Sequence, residues 1–274
     1  MTLRIAGKAP EAWIADSGQA EPIAIYTATG DGRTRVPMQL DAHKSAMLVL
    51  RQPAGAHLTQ ASWNGADMPV RLSPNGEVEL EARTPGQYTA TLNDGTALRG
   101  TVPALPAPLA LAGSWTVEFT PGWDAPATAT FDKLISWTEH AVPGIRYYSG
   151  SATYTTRLRL PDRLDASHPL YLDLGDVGEI AAVRLNGQDL GVLWERPFRV
   201  ALGSAAKAGW NELSVEVTNL WPNRLIGDAT LPPEKRLTRT NITKFNAASP
   251  LLPSGLLGPV TVESRSTVRM TRVR

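Results

Sequence analysis

Apolar and polar residues alternate in short runs along the first hundred positions, at Ile23–Ala28, Ser45–Leu50, Glu77–Ala82 and Gln87–Leu92, the period of a half-buried strand. Between and around these runs stand Asp31-Gly32, Asn64-Gly65, Asn75-Gly76, Asp94-Gly95 and Asn186-Gly187, dipeptides that tolerate positive φ and close hairpins. Nothing before residue 105 carries a long helical period, so residues 1–102 read as a small β-sandwich of seven to nine short strands. Three prolines between Pro103 and Pro108 stiffen the chain and mark 103–112 as a linker. From Gly113 the pattern resumes with Trp115–Phe119 and a short helical candidate at Asp132–Trp137 that Asp132 can cap. Longer strands then follow at Ser151–Leu160, with Ala152, Tyr154, Thr156, Leu158 and Leu160 on one face, and at Leu170–Leu174, Ala181–Leu185 and Glu212–Val217. The expected fold is all-β, two β-sandwich domains, with residues 113–274 forming the larger sandwich or jelly roll. No internal repeat is visible.

Composition narrows the function classes. The 23 Gly and 22 Pro of 274 residues are spread between the alternating runs, which favours many tight turns over disorder. With 27 basic and 26 acidic side chains the net charge is +1, so no field draws nucleic acid or anionic lipid to the surface. No apolar run is long enough for a membrane span, and the opening segment MTLRIAGKAPEAW has no apolar signal core. The expectation for the chain as it stands is cytoplasmic, and periplasmic or secreted if it derives from a longer precursor. The absence of Cys removes disulfides, thiolate metal sites and thiol nucleophiles. Phosphate-loop, dinucleotide, zinc-protease and esterase motifs are missing, and His43, His57, His140 and His168 are scattered as surface histidines usually are. The Asn241-Ile-Thr triplet is a formal glycosylation acceptor that chance alone explains.

The chemistry concentrates in the second domain, where Tyr147, Tyr148, Asp173, Asp176, Glu179, Trp194, Glu195, Trp221 and Asp228 supply aromatic rings and carboxylates. A sugar ring offers C–H faces that pack on flat aromatics and hydroxyls that need paired donors and acceptors. Taken singly, such aromatics fill cores and such acids line turns. Two segments resist that simpler account. In Leu193–Arg199 strict alternation would put Trp194, Arg196 and Phe198 on one side and Glu195 and Pro197 on the other, so a large or charged group is misplaced whichever face is buried. In Thr218–Asp228 a clean strand ends and Asn219, Trp221, Asn223, Arg224 and Asp228 crowd the following loop, as a binding site or as a clamp through an Arg224–Asp228 pair. Glycoside hydrolysis needs two carboxyl groups about 5–5.5 Å apart for retention or roughly 6.5–9.5 Å for inversion. Asp173, Asp176, Glu179, Glu195 and Asp228 are the candidate pool, with Glu195, Asp228, Asp176 and Glu179 as the leading candidates.

These residues carry a family resemblance. The blocks Leu134–Thr138, Ile145–Tyr154, Leu172–Val177, Val183–Gly187, Leu190–Trp194, Pro197–Arg199, Thr218–Asp228 and Ser249–Pro259 resemble, in order and spacing, the C-terminal region of glycoside hydrolase family 106, the α-L-rhamnosidase family. The last sandwich is similar to the galactose-binding-like, sugar-binding domain of family 2 glycosidases. Pro10–Trp13 with Asp16–Gly18, and Arg33–Leu40 with Ser45–Arg51, resemble the preceding sandwich of that family less specifically. The resemblance implies a carbohydrate-binding, accessory portion of a glycoside hydrolase whose catalytic barrel, bearing the acid and base, has no counterpart in these residues. It implies a mono- or polysaccharide partner, no required cofactor, and a structural calcium ion of the kind such sandwiches carry. Two alternatives remain: a short exo-acting galactosidase or rhamnosidase using its own carboxylates, and a structural domain pair completing a barrel supplied by another chain. The sugar-binding set expected from these readings is Tyr147, Tyr148, Trp194, Glu195, Arg196, Asn219, Trp221, Asn223, Arg224 and Asp228.

Overall fold

The computed structural model describes all residues except 15–17, 39, 41–44, 64–65, 68–69, 73–77, 166, 242–243 and 274. The hairpin signals at Asn64-Gly65 and Asn75-Gly76, the position of His43 and part of the Asn241–Thr243 triplet lie outside the described residues. The chain is an all-β protein of sandwich type with a few short helical turns, and it divides into two compact units.

One unit holds residues 1–106 together with 265–274. Its largest sheet runs in the order Thr271–Arg272, Ala97–Val102, Gly86–Leu92, Leu58–Trp63 and Ala66–Asp67, and three smaller sheets of three strands each accompany it. Strand segments are shorter and more numerous than the seven to nine expected, several being two or three residues long. The core is built from Leu58, Tyr88, Ala90, Leu98, Val102, Val268 and Met270. The last two come from the C-terminal end of the chain. The sequence boundary assigned that end to the second domain, whereas Ser266–Arg269 pairs antiparallel with Val78–Ala82. A partner some 190 residues upstream leaves no local trace in the sequence.

The other unit holds residues 107–264. A six-stranded sheet, ordered Thr128–Phe131, Trp115–Phe119, Ser151–Leu160, Gly209–Thr218, Ile180–Leu185 and Gln188–Leu193, forms one layer. A four-stranded sheet of Leu109–Ala110, Thr261–Ser264, Leu170–Asp173 and Arg199–Ala201 and a two-stranded ribbon of Asp176–Gly178 with Gly255–Gly258 complete the unit. Leu109–Ala110, inside the segment expected to be pure linker, is thus a paired edge strand. The predicted inward face of Ser151–Leu160 is confirmed: Ala152, Tyr154, Leu158 and Leu160 are buried with Trp115, Val117, Phe119, Trp137 and Tyr148. Asn186 and Gly187 both have positive φ, as the two-residue hairpin between Ile180–Leu185 and Gln188–Leu193 requires.

Two local expectations are corrected. The helical turn expected at Asp132–Trp137 lies at Trp137–Glu139, where Ser136, not Asp132, accepts the capping hydrogen bond from the Thr138 N–H. The loop expected after Thr218 is instead a helix, Pro222–Ala229. Pro222 fits its first turn, where no backbone N–H is needed.

Candidate functional site

Strand register brings the two unusual segments to one end of the second unit. Ser151 pairs with Thr218 and Thr218 with Ile180, so their chain ends stand in one row. Val217 pairs with Ala181 and Ala181 with Leu193, which sets the backbones of Leu193 and Val217 about 10 Å apart at the usual strand spacing. The turn at 194–198 and the segment from Asn219 therefore leave the sheet side by side. The loop after Phe119 joins them, because the Thr120 N–H donates to the Ser151 carbonyl at 3.2 Å.

On the solvent side of this end lie Trp221 and Trp194, 58% and 55% exposed. Trp123, half-buried, meets the edge of Trp221 at a ring separation of 5.4 Å and an angle of 84°. Asp176 pairs with Arg196, both largely in solvent. Glu179 is exposed and Glu195 is half-buried. Tyr147 is half-buried, and its Cβ lies over Gly227, where an added methyl would come within 2.6 Å of it. Open indole faces beside carboxylates and a guanidinium provide what a sugar needs: a flat apolar platform and charged groups that hydrogen-bond hydroxyls in pairs. Trp123 was not foreseen. Its one sequence signal is position, since an aromatic in the Pro121-Gly122 turn has no strand face to fill.

The remaining expected site residues face inward, where Arg224 and Asp228 form the pair that a clamp requires. Tyr148 is sealed in the core against Phe119 and Trp137, its hydroxyl donating to the Ser151 carbonyl at 2.6 Å. Asn219 accepts from the Gly150 N–H at 2.9 Å and donates to the Tyr148 carbonyl at 2.9 Å. Asn223 donates to the Leu252 carbonyl (2.7 Å) and accepts from the Leu252 N–H (2.8 Å). Arg224 and Asp228 are each 3% exposed. Nη2 of Arg224 stands 3.0 Å from Oδ1 of Asp228, one helical turn on. The other oxygen of Asp228 accepts from the Thr238 N–H (2.7 Å) and hydroxyl (2.5 Å). Burial pushes the Asp228 carboxyl up, but the bonds from Thr238 and Leu237 and the charge of Arg224 outweigh it and hold the group below the ordinary aspartate value. A carboxylate so held stays ionised, so Asp228 is unsuited to be the protonated acid of a glycosidase pair. Such groups fix the helix and the loops at 148–150, 237–238 and 252–254, which seats Trp221 on a rigid base.

Among the described residues no three His, Asp or Glu side chains group as metal ligands would. His57 stacks on Tyr26 with ring centres 3.7 Å apart, and the His140 Nδ1 accepts from the Val142 N–H at 3.1 Å, both local packing roles.

An all-β sandwich protein with indoles and carboxylates gathered at one end has the make-up of a module related to glycoside hydrolases, and known proteins bear out that class. A Formosa agariphila protein described as a "Putative beta-glucuronidase" is 34% identical over 261 residues, 86% of this chain and 22% of that protein. The structure of a rhamnosidase from Novosphingobium sp. PP1Y matches 96% of this chain and 21% of its own, with 33% identity and a TM-score of 0.67. The chain thus spans about a fifth of the length of each of these relatives. No protein-family model matches it.

Proposed function

We propose that the chain is the carbohydrate-recognising β-sandwich portion of a family 106 type glycoside hydrolase, its second unit being a galactose-binding-like domain. The observation that carries this reading is the pair of open indoles, Trp221 and Trp194, at one sheet end beside Trp123, Arg196, Asp176, Glu179 and Glu195. One third identity to a rhamnosidase along nearly the whole chain supports the family. The acid and base of hydrolysis then come from a catalytic domain outside these residues.

Calorimetric titration of the folded chain with rhamnose, galactose and plant or bacterial polysaccharides tests the proposal. Heat of binding is expected for at least one of them. Trp221→Ala is expected to weaken that binding by about 30-fold, the scale of an exposed aromatic anchor, with the melting temperature nearly unchanged. No heat with any saccharide would sink the reading. The same preparation is expected to leave nitrophenyl rhamnosides and galactosides uncleaved, because on this reading the acid and base of hydrolysis lie outside these residues. Turnover that disappears in Glu195→Gln would instead favour a short glycosidase.

A further inference from the structure

The turn between Trp115–Phe119 and Thr128–Phe131 is held at its base, where the Phe119 N–H donates to the Ala127 carbonyl at 3.0 Å and the Thr120 hydroxyl to the Ser151 carbonyl at 2.9 Å. At its tip Trp123 stands between two left-handed residues, Gly122 at φ +103° and Asp124 at φ +63°. Aspartate is one of the few residues besides glycine that enter that conformation. The Asp124 carbonyl then packs against Gly144, in the short helix Pro143–Arg146. A Cβ on Gly144 would lie 1.9 Å from that carbonyl oxygen and 2.5 Å from its carbon, so only a bare backbone lets the turn come down. A Cβ on Gly150 would stand 3.5 Å from Nε1 of Trp123, which puts the indole nitrogen close to the Gly150 backbone.

Among the described residues, Trp123 is the one aromatic ring that meets Trp221. Trp123 is half-buried and packs on the core of the second unit, so its indole has a fixed place. Trp221 has no such burial at 58% exposed, but its backbone is tied down. The Ser149 hydroxyl donates to the Leu220 carbonyl at 2.9 Å and accepts from the Arg224 N–H at 3.1 Å. That fixes the main chain on both sides of Trp221 and leaves its two side-chain torsions to be decided. The ring contact with Trp123, at 5.4 Å and 84°, restrains them while covering little of the indole. A side chain that must be ordered when a ligand arrives weakens binding, and one already ordered does not.

We infer that Trp123 is a positioning residue for the saccharide site: it acts through Trp221, whose indole it holds in the binding orientation before the ligand arrives. The role of Trp221 rests on the carbohydrate reading above, while the restraint rests on the geometry of the turn alone. Gly144 belongs to the same device, since a side chain there must push Asp124, and Trp123 with it, out of place.

NMR relaxation of the indole N–H groups in the unliganded protein reads the restraint directly. Trp221 is expected to show an order parameter near the rigid value of about 0.85 in spite of its exposure, and to fall below about 0.6 in Trp123→Ala. In calorimetry with the saccharide that binds, Trp123→Ala is expected to weaken binding about three- to tenfold, the effect of one side chain left to be ordered, through a less favourable entropy. Trp123→Phe, which keeps a flat ring, is expected to restore binding to within about twofold of the wild type, and Gly144→Ala is expected to behave as Trp123→Ala does. In the Trp221→Ala background, removal of Trp123 is expected to change affinity by less than about twofold, because nothing is left to position. A Trp221 order parameter below about 0.6 in the wild-type protein, or a loss from Trp123→Ala that persists in full in the Trp221→Ala background, would overturn the inference. The first of these needs only the wild-type fold, so the test stands even where Trp123→Ala does not fold. Either result, alongside saccharide binding that Trp221→Ala weakens, refutes this inference alone. No saccharide binding at all, with Trp221 rigid, refutes the function proposed above.

Discussion

Arg224→Met is expected to cost the second unit about 3–5 kcal/mol, because it strips the partner from a carboxylate sealed among buried residues. The midpoint of thermal unfolding should fall on the order of 10 °C. A second change distinguishes a stranded charge from lost packing: Arg224→Met/Asp228→Leu removes both charges and should recover part of the loss, although Thr238 then lacks its acceptor. The pH dependence has a definite sign. Asp228 has its folded pKa below that of the unfolded chain, so its contribution is fully present above the unfolded value, near 4, and is lost as pH falls through the folded one. Chemical unfolding at pH 7 and at pH 3 should therefore show the penalty of Arg224→Met shrinking in acid. A penalty that is constant or grows in acid would mean that Asp228 is not the group being held.

Gly255→Ala is expected to be comparably damaging. Gly255 has φ +94°, and a Cβ there would stand 2.6 Å from the Tyr154 hydroxyl and 2.7 Å from the Trp137 Nε1. Those two atoms already form a buried hydrogen bond of 2.5 Å, and the Leu256 N–H donates to the same hydroxyl at 3.2 Å. Burial pushes the Tyr154 phenol up, so it stays neutral and remains able to serve both donors. A methyl group must break this node or displace the Gly255–Gly258 strand. Backbone strain and overpacking together put the loss at about 2–6 kcal/mol. Gly187→Ala is the control: its φ is +79°, but nothing lies within 4 Å of the added carbon. It should cost roughly 1 kcal/mol, from backbone strain alone. Equal losses in denaturant titrations of the two variants would contradict the packing argument.

The fold was legible where a local rule decides the outcome. Asn186-Gly187 turns because two successive positive φ angles suit few other residues, and Ser151–Leu160 buries alternate side chains because one face meets the core. The site was only half legible. Asn219 and Asn223 carry the amide groups that could bind a sugar hydroxyl, but the same groups bind a peptide, and their partners are the backbones of Gly150, Tyr148 and Leu252, 29 to 71 residues away in sequence. Tyr147 and Tyr148 are adjacent and chemically alike. One lies over Gly227 and the other closes the core, a choice made by how the turn after Pro143–Arg146 meets the sheet.

The central claim is that saccharides meet this protein at the Trp221–Trp194 end of the second sandwich. The most direct measurement follows the indole N–H signals of the eight tryptophans by two-dimensional NMR during titration with the saccharide that gives calorimetric heat. The account predicts that the signals of Trp221 and Trp194 shift in a saturable way, with Trp123 following through its ring contact, while buried Trp115 and Trp137 stay in place. Shifts confined to Trp13 or Trp210, which are also exposed, or saturable binding that leaves Trp221 and Trp194 unmoved, would contradict it.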